Sequence, residues 1–496
     1  MTVVTEETPS LPAYRRDLAL DGARSPDVHV PPPTGQKPLL GPMTQRRVLA
    51  MALPIIGENL LQTAVGAVDT LMVARLGSAS VAGVGTAAEL VFFIISMLIA
   101  LEVGATVLIS KAFGAGDLES VRRLARQAIV WGILAAIPVS IGGYFAAGPV
   151  IGLFGTEPDV AQHATTYLQI TAATSVALLL TFVCGAIFRG VGDSRTPLYA
   201  SIFANVFHVA AAYLLIFGHL GLPELGVAGS AWAAALTRGT SAAILLALLI
   251  RGRRAVSIRG RAGWLPRRET GRALFRLGLP ASFEQALASA GFTTMLAVVA
   301  ILGTASLAAQ QIGFTALSIA FMPGFGFALA ATTLVGQSVG ARRLGDASKA
   351  VRIAELWAVC WMAIGGVIYF VVAGPVMNVF TDDPEVVNAG VNALHAISLS
   401  LPFWAIWSVN AGALRGLGDT RTPLVMSVVT IWSAVGLAYI VVTRFDGGLG
   451  MVWGTFMFTS PIGAFGNRYI LRRRLRATRE ALAVEPKGTP MGSAAA

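Results

Sequence analysis

Long apolar segments alternate with short polar gaps along the chain from about residue 50 to residue 471. Each segment has about 20 residues or more, the length at which a helix crosses the hydrocarbon core of a bilayer. The pattern therefore predicts an all-α polytopic membrane protein with twelve transmembrane helices. The predicted spans are residues 50–74, 81–110, 127–148, 163–187, 198–218, 226–250, 274–301, 305–336, 353–374, 389–413, 424–443 and 449–471.

The second half of the chain repeats the first. Residues 188–197 (FRGVGDSRTP) return at 414–423 (LRGLGDTRTP), an offset of 414 − 188 = 226, and the same offset relates Glu58 to Glu284. Each half then contains six predicted helices. Because six is even, both halves insert in the same direction and form a parallel repeat, in which substrate sites lie between or within the halves.

Composition excludes an ordinary soluble enzyme. The 496 residues are 55% hydrophobic and 13% charged, whereas soluble domains carry about 25% charged residues. The net charge of +11 would suit a nucleic-acid partner, but the basic residues lie in short gaps between apolar segments. We therefore interpret them as cytoplasmic anchors and expect no nucleic acid to bind.

The distribution of these basic gaps predicts a multi-pass cell-membrane protein with both termini in the cytoplasm. The polar, proline-rich start of the chain predicts a disordered tail, and an arginine-rich stretch separates the two halves. The predicted organisation is a cytoplasmic tail at 1–44, an N-lobe at 45–250, a cytoplasmic linker at 251–273, a C-lobe at 274–471 and a cytoplasmic tail at 472–496.

Neither a disulfide framework nor a metal site is predicted. The two cysteines, Cys184 and Cys360, each lie within an apolar segment. The Asp382-Asp383 pair corresponds across the repeat to the acidic residues 157–159, and both stretches carry a proline. Acids and proline at this position are typical of a helix start, so we expect no metal and no cofactor.

The paired Arg-Gly-x-Gly-Asp-x-Arg-Thr-Pro turns predict a structural role, with gating of the inner mouth as the alternative. Their glycines allow a tight turn, and Thr196 and Thr422 are predicted to cap the helices that follow. Their arginines are predicted to anchor the cytoplasmic face. The charged residues of the two turns are Arg189, Asp193, Arg195, Arg415, Asp419 and Arg421.

Carboxylates inside the predicted spans carry most of the functional information. An acid at the centre of a membrane helix costs about 2.5–3.5 kcal/mol on insertion scales and usually marks a transport or proton pathway. Asp69 has Met295 at its repeat position, and the repeat positions of Glu89 and Glu102 are also uncharged. This asymmetry predicts a cation site in the N-lobe. A helix-capping or snorkelling role for Asp69 is the alternative.

Three further intramembrane residues leave their roles open. Glu58 and Glu284 each lie one turn after a proline and are repeat mates, so they are as readily structural as functional. His208, in the fifth predicted span, is either a buried histidine with its hydrogen bonds satisfied or a second titrating group beside an acid.

Several of these residues together resemble a known family. Residues 63–73 (TAVGAVDTLMV), the Leu-Gly that follows, the paired turns and Gly-Gln-Ser-Val-Gly-Ala at 336–341 are similar to multidrug and toxic compound extrusion (MATE) transporters. The resemblance covers residues from about 45 to 471. It implies two six-helix lobes in a V shape that export organic cations or amphipathic drugs in exchange for protons or sodium ions.

The resemblance also implies residue roles. Asp69 matches the first-helix aspartate used for cation coupling, while the fifth-helix Asn-x-x-x-Asp pattern reads His208 and Ala212 here. The tenth-helix acid and seventh-helix glutamate of other branches read Trp404 and Ala288 here, so the resemblance is closest to the DinF-like branch. Too few oxygens remain for a sodium shell, which favours protons. The expected cation-coupling residues are Asp69, His208, Asn205 and Ser230.

Substrate is expected among acidic, aromatic and methionine side chains. Two other functions stay open: a flippase for lipid-linked precursors, which would need cations in its cavity, and a polytopic membrane enzyme, which would need paired aspartates for magnesium. The expected partners are membrane lipid and small cationic or amphipathic molecules, the expected state is a monomer, and no enzymatic activity is expected. The cavity candidates are Glu89, Glu102, Phe321, Met322, Trp404 and Trp407.

Overall fold

A computed structural model of the chain describes residues 40–252, 256–260 and 262–484. Most of the predicted N-terminal tail, and the C-terminal tail after residue 484, lie outside these residues. The described part contains fifteen α-helices: α1 Gln45–Ala74, α2 Ser78–Gly114, α3 Leu118–Gly152, α4 Pro158–Ala173, α5 Ser175–Gly190, α6 Arg195–Phe217, α7 Val227–Arg251, α8 Arg268–Ala300, α9 Thr304–Gly340, α10 Leu344–Val371, α11 Ala373–Asn378, α12 Pro384–Ser398, α13 Leu401–Leu417, α14 Arg421–Phe445 and α15 Leu449–Val484.

The predicted spans coincide with these helices, and the all-α membrane fold is confirmed. Nine helices of the described residues are long and apolar enough to cross a membrane. Two more spans are helix pairs, α4 with α5 and α12 with α13, each bent by 52°. The breaks at Thr174 and Ser400 are repeat mates, since 174 + 226 = 400. The remaining predicted span, 449–471, lies within α15.

Aspartates, not threonines, cap the helices after the paired turns. Asp193 accepts the backbone N–H of Thr196 at 3.1 Å and its hydroxyl at 2.7 Å. Asp419 does the same for Thr422, at 3.0 and 2.8 Å. The prediction that the threonines cap these helices is therefore wrong, because their side chains donate to the cap. Gly192 has φ = +87°, which explains why glycine stands there.

The two lobes meet along the inner halves of α1, α2, α8 and α9, where inner denotes the end of the bundle that carries the paired turns. Glycines allow the backbones to touch. A Cβ on Gly278 would overlap the carbonyl oxygen of Ala100, and a Cβ on Gly104 would overlap that of Leu274. We call this set of interlobe contacts the inner seal.

The contact between α2 and α9 in the inner seal is reciprocal. Gly114 lies against the carbonyl of Gln337, and Gly340 lies against the carbonyl of Lys111. Both pairs are repeat mates, because 114 + 226 = 340 and 111 + 226 = 337. The two lobes are therefore related at this point by an approximate two-fold axis along the membrane normal.

Side-chain hydrogen bonds across the lobes reinforce the inner seal. Lys111 Nζ donates to the carbonyl of Leu417 at 2.7 Å, and Gln337 Nε2 donates to that of Gly190 at 2.9 Å. Among the described residues, the interlobe side-chain hydrogen bonds lie in the inner and middle parts of the bundle. The outer half of α1 is largely exposed, with Leu71 69% accessible. The lobes are thus closed at the inner end and open toward the outer end.

Candidate functional site

Asp69 lies in the outer half of α1, with its carboxylate turned into the N-lobe toward α6 and α7. Ser230 donates its hydroxyl to Oδ2 at 2.8 Å, and Nε2 of His208 lies 3.6 Å from Oδ1. The Asp69 side chain is 14% exposed. The structure thus brings together three of the four residues expected at this site. Asn205 is buried one turn from His208 and makes no hydrogen bond to Asp69 among the described residues.

Local hydrogen bonds define where the proton of a neutral His208 must lie. The Thr237 hydroxyl donates to the carbonyl of Ala233 at 2.7 Å, so it can only accept at its 3.0 Å contact with His208 Nδ1. A neutral imidazole therefore carries its proton on Nδ1, and Nε2 presents a lone pair to Asp69. Nε2 and Oδ1 are both buried without a hydrogen-bond partner among the described residues.

Two acceptors facing each other at this distance repel, and one proton removes the conflict. If the proton is on Asp69, the neutral carboxyl faces the imidazole; if it is on His208, an imidazolium faces a carboxylate. The arrangement is suited to taking up a single proton between Asp69 and His208.

Sequence reasoning missed Arg238 and Tyr167. Arg238, on α7, interacts electrostatically with Asp69 and Tyr167, and its Nη1 is buried without a hydrogen-bond partner in the described part of the chain. Tyr167, on α4, lies beside Ser230. An arginine inside a predicted span is itself a signal of function, so Arg238 could have been found from the sequence. Tyr167 carries no comparable signal.

The side chains around Asp69 fit a proton better than a sodium ion. Sodium is held by several oxygen ligands, whereas among the described residues the hydroxyl that bonds to the Asp69 carboxylate is that of Ser230, and the other close group is an imidazole. The guanidinium of Arg238 interacts with the same carboxylate and supplies no oxygen ligand.

A buried arginine with two carboxylates lies deeper in the N-lobe. Arg189 Nη2 contacts Glu102 Oε1 at 2.7 Å, and its Nη1 contacts Glu58 Oε2 at 3.5 Å. Ser201 donates to the other oxygen of Glu58 at 3.4 Å. We call Arg189, Glu58 and Glu102 the N-lobe triad. The prediction that Arg189 anchors the cytoplasmic face is wrong, because its side chain is only 6% exposed and turns inward.

The two buried glutamates of the C-lobe, Glu284 and Glu355, each pair with one arginine. Arg415 Nη2 contacts both oxygens of Glu284, at 2.7 and 2.8 Å, and Arg468 contacts Glu355 at 3.2 Å. Arg415 is thus also turned away from the surface role predicted for it. The second arginine of the same turn, Arg421, is exposed at the inner end of the bundle, and so is its repeat mate Arg195 in the N-lobe.

Aromatic side chains of the C-lobe form a cluster around Trp404. Its ring lies 5.1 Å from that of Phe321, 4.6 Å from Trp407 and 5.6 Å from Phe456, and it stacks on Phe292 at 6.3 Å. The Trp404 indole N–H is buried without a hydrogen-bond partner among the described residues. Partly exposed rings with a free donor can bind cationic or amphipathic molecules.

The other cavity candidates lie elsewhere. Glu89 is exposed in the outer half of α2, and Met322 is partly buried next to Phe321. Trp407 is 5% exposed and its ring lies against that of Trp404. Glu102 belongs to the N-lobe triad and does not line the open cleft.

Comparison with known proteins gives one family. The MatE family model matches the chain twice, over residues 54–214 and 280–440, and 280 − 54 = 226 is the offset of the repeat. A probable multidrug resistance protein NorM from Thermotoga maritima is 30% identical over 419 residues, which cover 83% of this chain and 89% of the relative.

Solved structures share the fold. A transporter of the MOP superfamily from Pyrococcus furiosus superposes with a TM-score of 0.84 at 22% identity, over 91% of this chain and 100% of that one. An outward-facing multidrug resistance transporter of the same superfamily gives a TM-score of 0.83 at 21% identity, over 91% and 100% of the two chains.

Proposed function

The chain belongs to the MatE family and is a multidrug efflux transporter, and from this premise we propose that protons drive its export cycle by binding at Asp69 and His208. The observation that carries the proposal is the pair of facing acceptors, Asp69 Oδ1 and His208 Nε2. One proton between them removes their repulsion. Membership of a transporter family excludes the membrane-enzyme alternative. Assignment to the DinF-like branch stays a prediction.

Proton and drug are coupled through the charge of Asp69. Ionised Asp69 balances the positive charge of Arg238, so the N-lobe does not repel a cationic drug entering the cleft, whereas a proton on the pair leaves that positive charge uncompensated. Each ligand therefore lowers the affinity for the other, by the same factor in both directions. We place the apolar part of the drug against Phe292, Phe321 and Trp404 of the C-lobe, where exposed ring faces suit organic cations.

Efflux from proteoliposomes under separately imposed proton and sodium gradients tests the choice of driving ion. We expect ethidium export to follow the proton gradient and to be unaffected by a sodium gradient at constant pH. Export driven by sodium alone would contradict the proposal, because the Ser230 hydroxyl and the His208 imidazole give Asp69 too few oxygen neighbours to hold that ion.

Replacing His208 with alanine is expected to shift the pH profile of export by roughly one unit without abolishing it, the scale on which one neighbouring titrating group acts. The proton of the pair must then be held by Asp69 alone. The readout is export rate in proteoliposomes across pH 6 to 8. His395→Ala in the C-lobe is the matched control and should leave the profile unchanged. An unaltered profile in His208→Ala would assign His208 a purely structural role.

We propose that the inner end of the bundle faces the cytoplasm, which places both termini there, and that the protein acts as a monomer in the cell membrane. The positive-inside rule supports the orientation. The presence of the Asp69 site and the aromatic cluster in one chain supports the monomer.

Paired cysteine variants check the orientation, in a background where the exposed Cys360 is replaced by alanine. Leu265, in the linker, is 82% exposed, and Leu153, at the outer end of α3, is 85% exposed. An impermeant maleimide should label Leu153→Cys in intact cells and Leu265→Cys only in inverted vesicles. The reverse pattern would invert the topology.

A further inference from the structure

The N-lobe triad contains one carboxylate more than its single guanidinium can neutralise. Arg189 faces both Glu58 and Glu102, and their side chains are only 12% and 13% exposed. Among the described residues, the other polar group at Glu58 is the Ser201 hydroxyl. With all three charged groups ionised, the triad would have a net negative charge in a region of low dielectric. Two carboxylates that share a buried site hold a proton between them instead.

The repeat provides an internal comparison. At the equivalent place in the C-lobe, Arg415 pairs with Glu284 alone through two short contacts, and the repeat mate of Glu102 is Ala328, since 102 + 226 = 328. The C-lobe arrangement is therefore electrically balanced. The extra carboxylate is confined to the lobe that also contains Asp69.

We propose that the N-lobe triad is a second proton-binding site, distinct from the Asp69–His208 pair, and that its proton resides on Glu58. The proposal rests on proton-driven export. The distances assign the proton: Glu102 makes the short 2.7 Å contact of an ion pair, whereas Glu58 is 3.5 Å from Arg189 and 3.4 Å from Ser201. Gly185 leaves space for the guanidinium, which lies where a Cβ would make tight contact.

The position of the triad beside the inner seal determines the side of the membrane with which it exchanges its proton. Glu102 lies on α2 between Ala100 and Gly104, both of which touch α8. Gly190, next to Arg189 in the chain, accepts the interlobe hydrogen bond from Gln337. While the inner seal is closed, the triad is shielded from the inner side. Separation of α2 from α8 exposes this turn, so the proton leaves toward the inner side when the seal opens.

The test is the proton count of the transport cycle. In proteoliposomes loaded with ethidium, the logarithm of the limiting accumulation ratio is measured against the imposed pH difference, and the slope gives protons per substrate. Glutamine at position 58 mimics the protonated acid and preserves the Arg189–Glu102 pair. We expect Glu58→Gln to export ethidium with a slope lower by one than wild type. Its repeat mate provides the matched control, and Glu284→Gln should keep the wild-type slope.

A second variant and a spectroscopic readout distinguish loss of the triad proton from misfolding and from a defect at Asp69. Glu102→Ala reproduces the C-lobe arrangement and should also lower the slope by one. Infrared spectra should contain a protonated-carboxyl band that is lost in Glu58→Gln and retained in Asp69→Asn. An unchanged slope and an unchanged band in folded Glu58→Gln would overturn the second site. A wild-type slope in Asp69→Asn would instead overturn the Asp69 proposal.

Discussion

Asp69→Asn is expected to abolish proton-coupled export while leaving the fold and drug binding intact. Asparagine retains the shape of aspartate and can still accept from Ser230, but it cannot gain or lose a proton. Removing a membrane-embedded acid also removes an insertion cost, so the variant should reach the membrane at least as well as wild type. Because proton and drug no longer compete at Asp69, the lobes can switch between outward and inward access whether or not a drug has replaced the proton. Transport is then uncoupled from the proton gradient.

The expected loss can be stated per unit of pH gradient. One coupled proton contributes about 1.4 kcal/mol, or tenfold in the accumulation ratio, for each pH unit across the membrane. Purified Asp69→Asn in proteoliposomes should show no dependence of ethidium accumulation on the imposed pH difference, and its binding of ethidium should release no protons. Wild-type accumulation ratios in a folded Asp69→Asn protein would identify Asp69 as a structural residue.

Gly278→Ala is expected to prevent closure of the inner seal and to reduce export at least tenfold. The added methyl group would overlap the carbonyl of Ala100, and neither backbone can move without shifting a whole helix. Gly436→Ala on α14 is the matched control, because a Cβ there has no neighbour within 4 Å. Ser110, fully buried against Gly336 of α9 across the inner seal, provides the readout: in a Ser110→Cys background, labelling from the inner side should rise only with Gly278→Ala.

Retained export in Gly278→Ala would mean that the lobes can meet in a different register. Circular dichroism and thermal melting of both glycine variants distinguish this outcome from unfolding. Helix propensity favours alanine over glycine by about 1 kcal/mol. A lower melting temperature in Gly278→Ala would therefore come from the disrupted interlobe contact.

The spans and the repeat could be predicted because the bilayer imposes a length and an apolar composition that the sequence shows directly. The direction in which the Arg189 side chain points could not be predicted. It depends on Gly185 one turn earlier and on two carboxylates contributed by other helices. The same tertiary dependence applies to the caps, since Asp193 and Thr196 are both reasonable capping residues and only the turn geometry selects the aspartate.

The grouping around Asp69 was predictable in part. Intramembrane polarity marks Asp69 and His208 and would have marked Arg238, and the family resemblance added Ser230. The ring nitrogen of His208 that carries the proton could not be predicted from the sequence. It depends on Thr237, which donates to a carbonyl of its own helix and thereby fixes the imidazole tautomer. The excess negative charge of the triad was likewise hidden until Glu102 was seen to share an arginine with Glu58.

The reciprocal packing of Gly114 on Gln337 and of Gly340 on Lys111 has the form of an isologous dimer interface, in which the same patch is used on both partners. A six-helix chain carrying this patch would bind a second copy of itself through it, in a parallel orientation and with a cleft between the two copies. Fusion of two such genes would preserve that interface while freeing each half to diverge. One copy could then gain acids, and the other aromatic rings, without disturbing the surface that joins them.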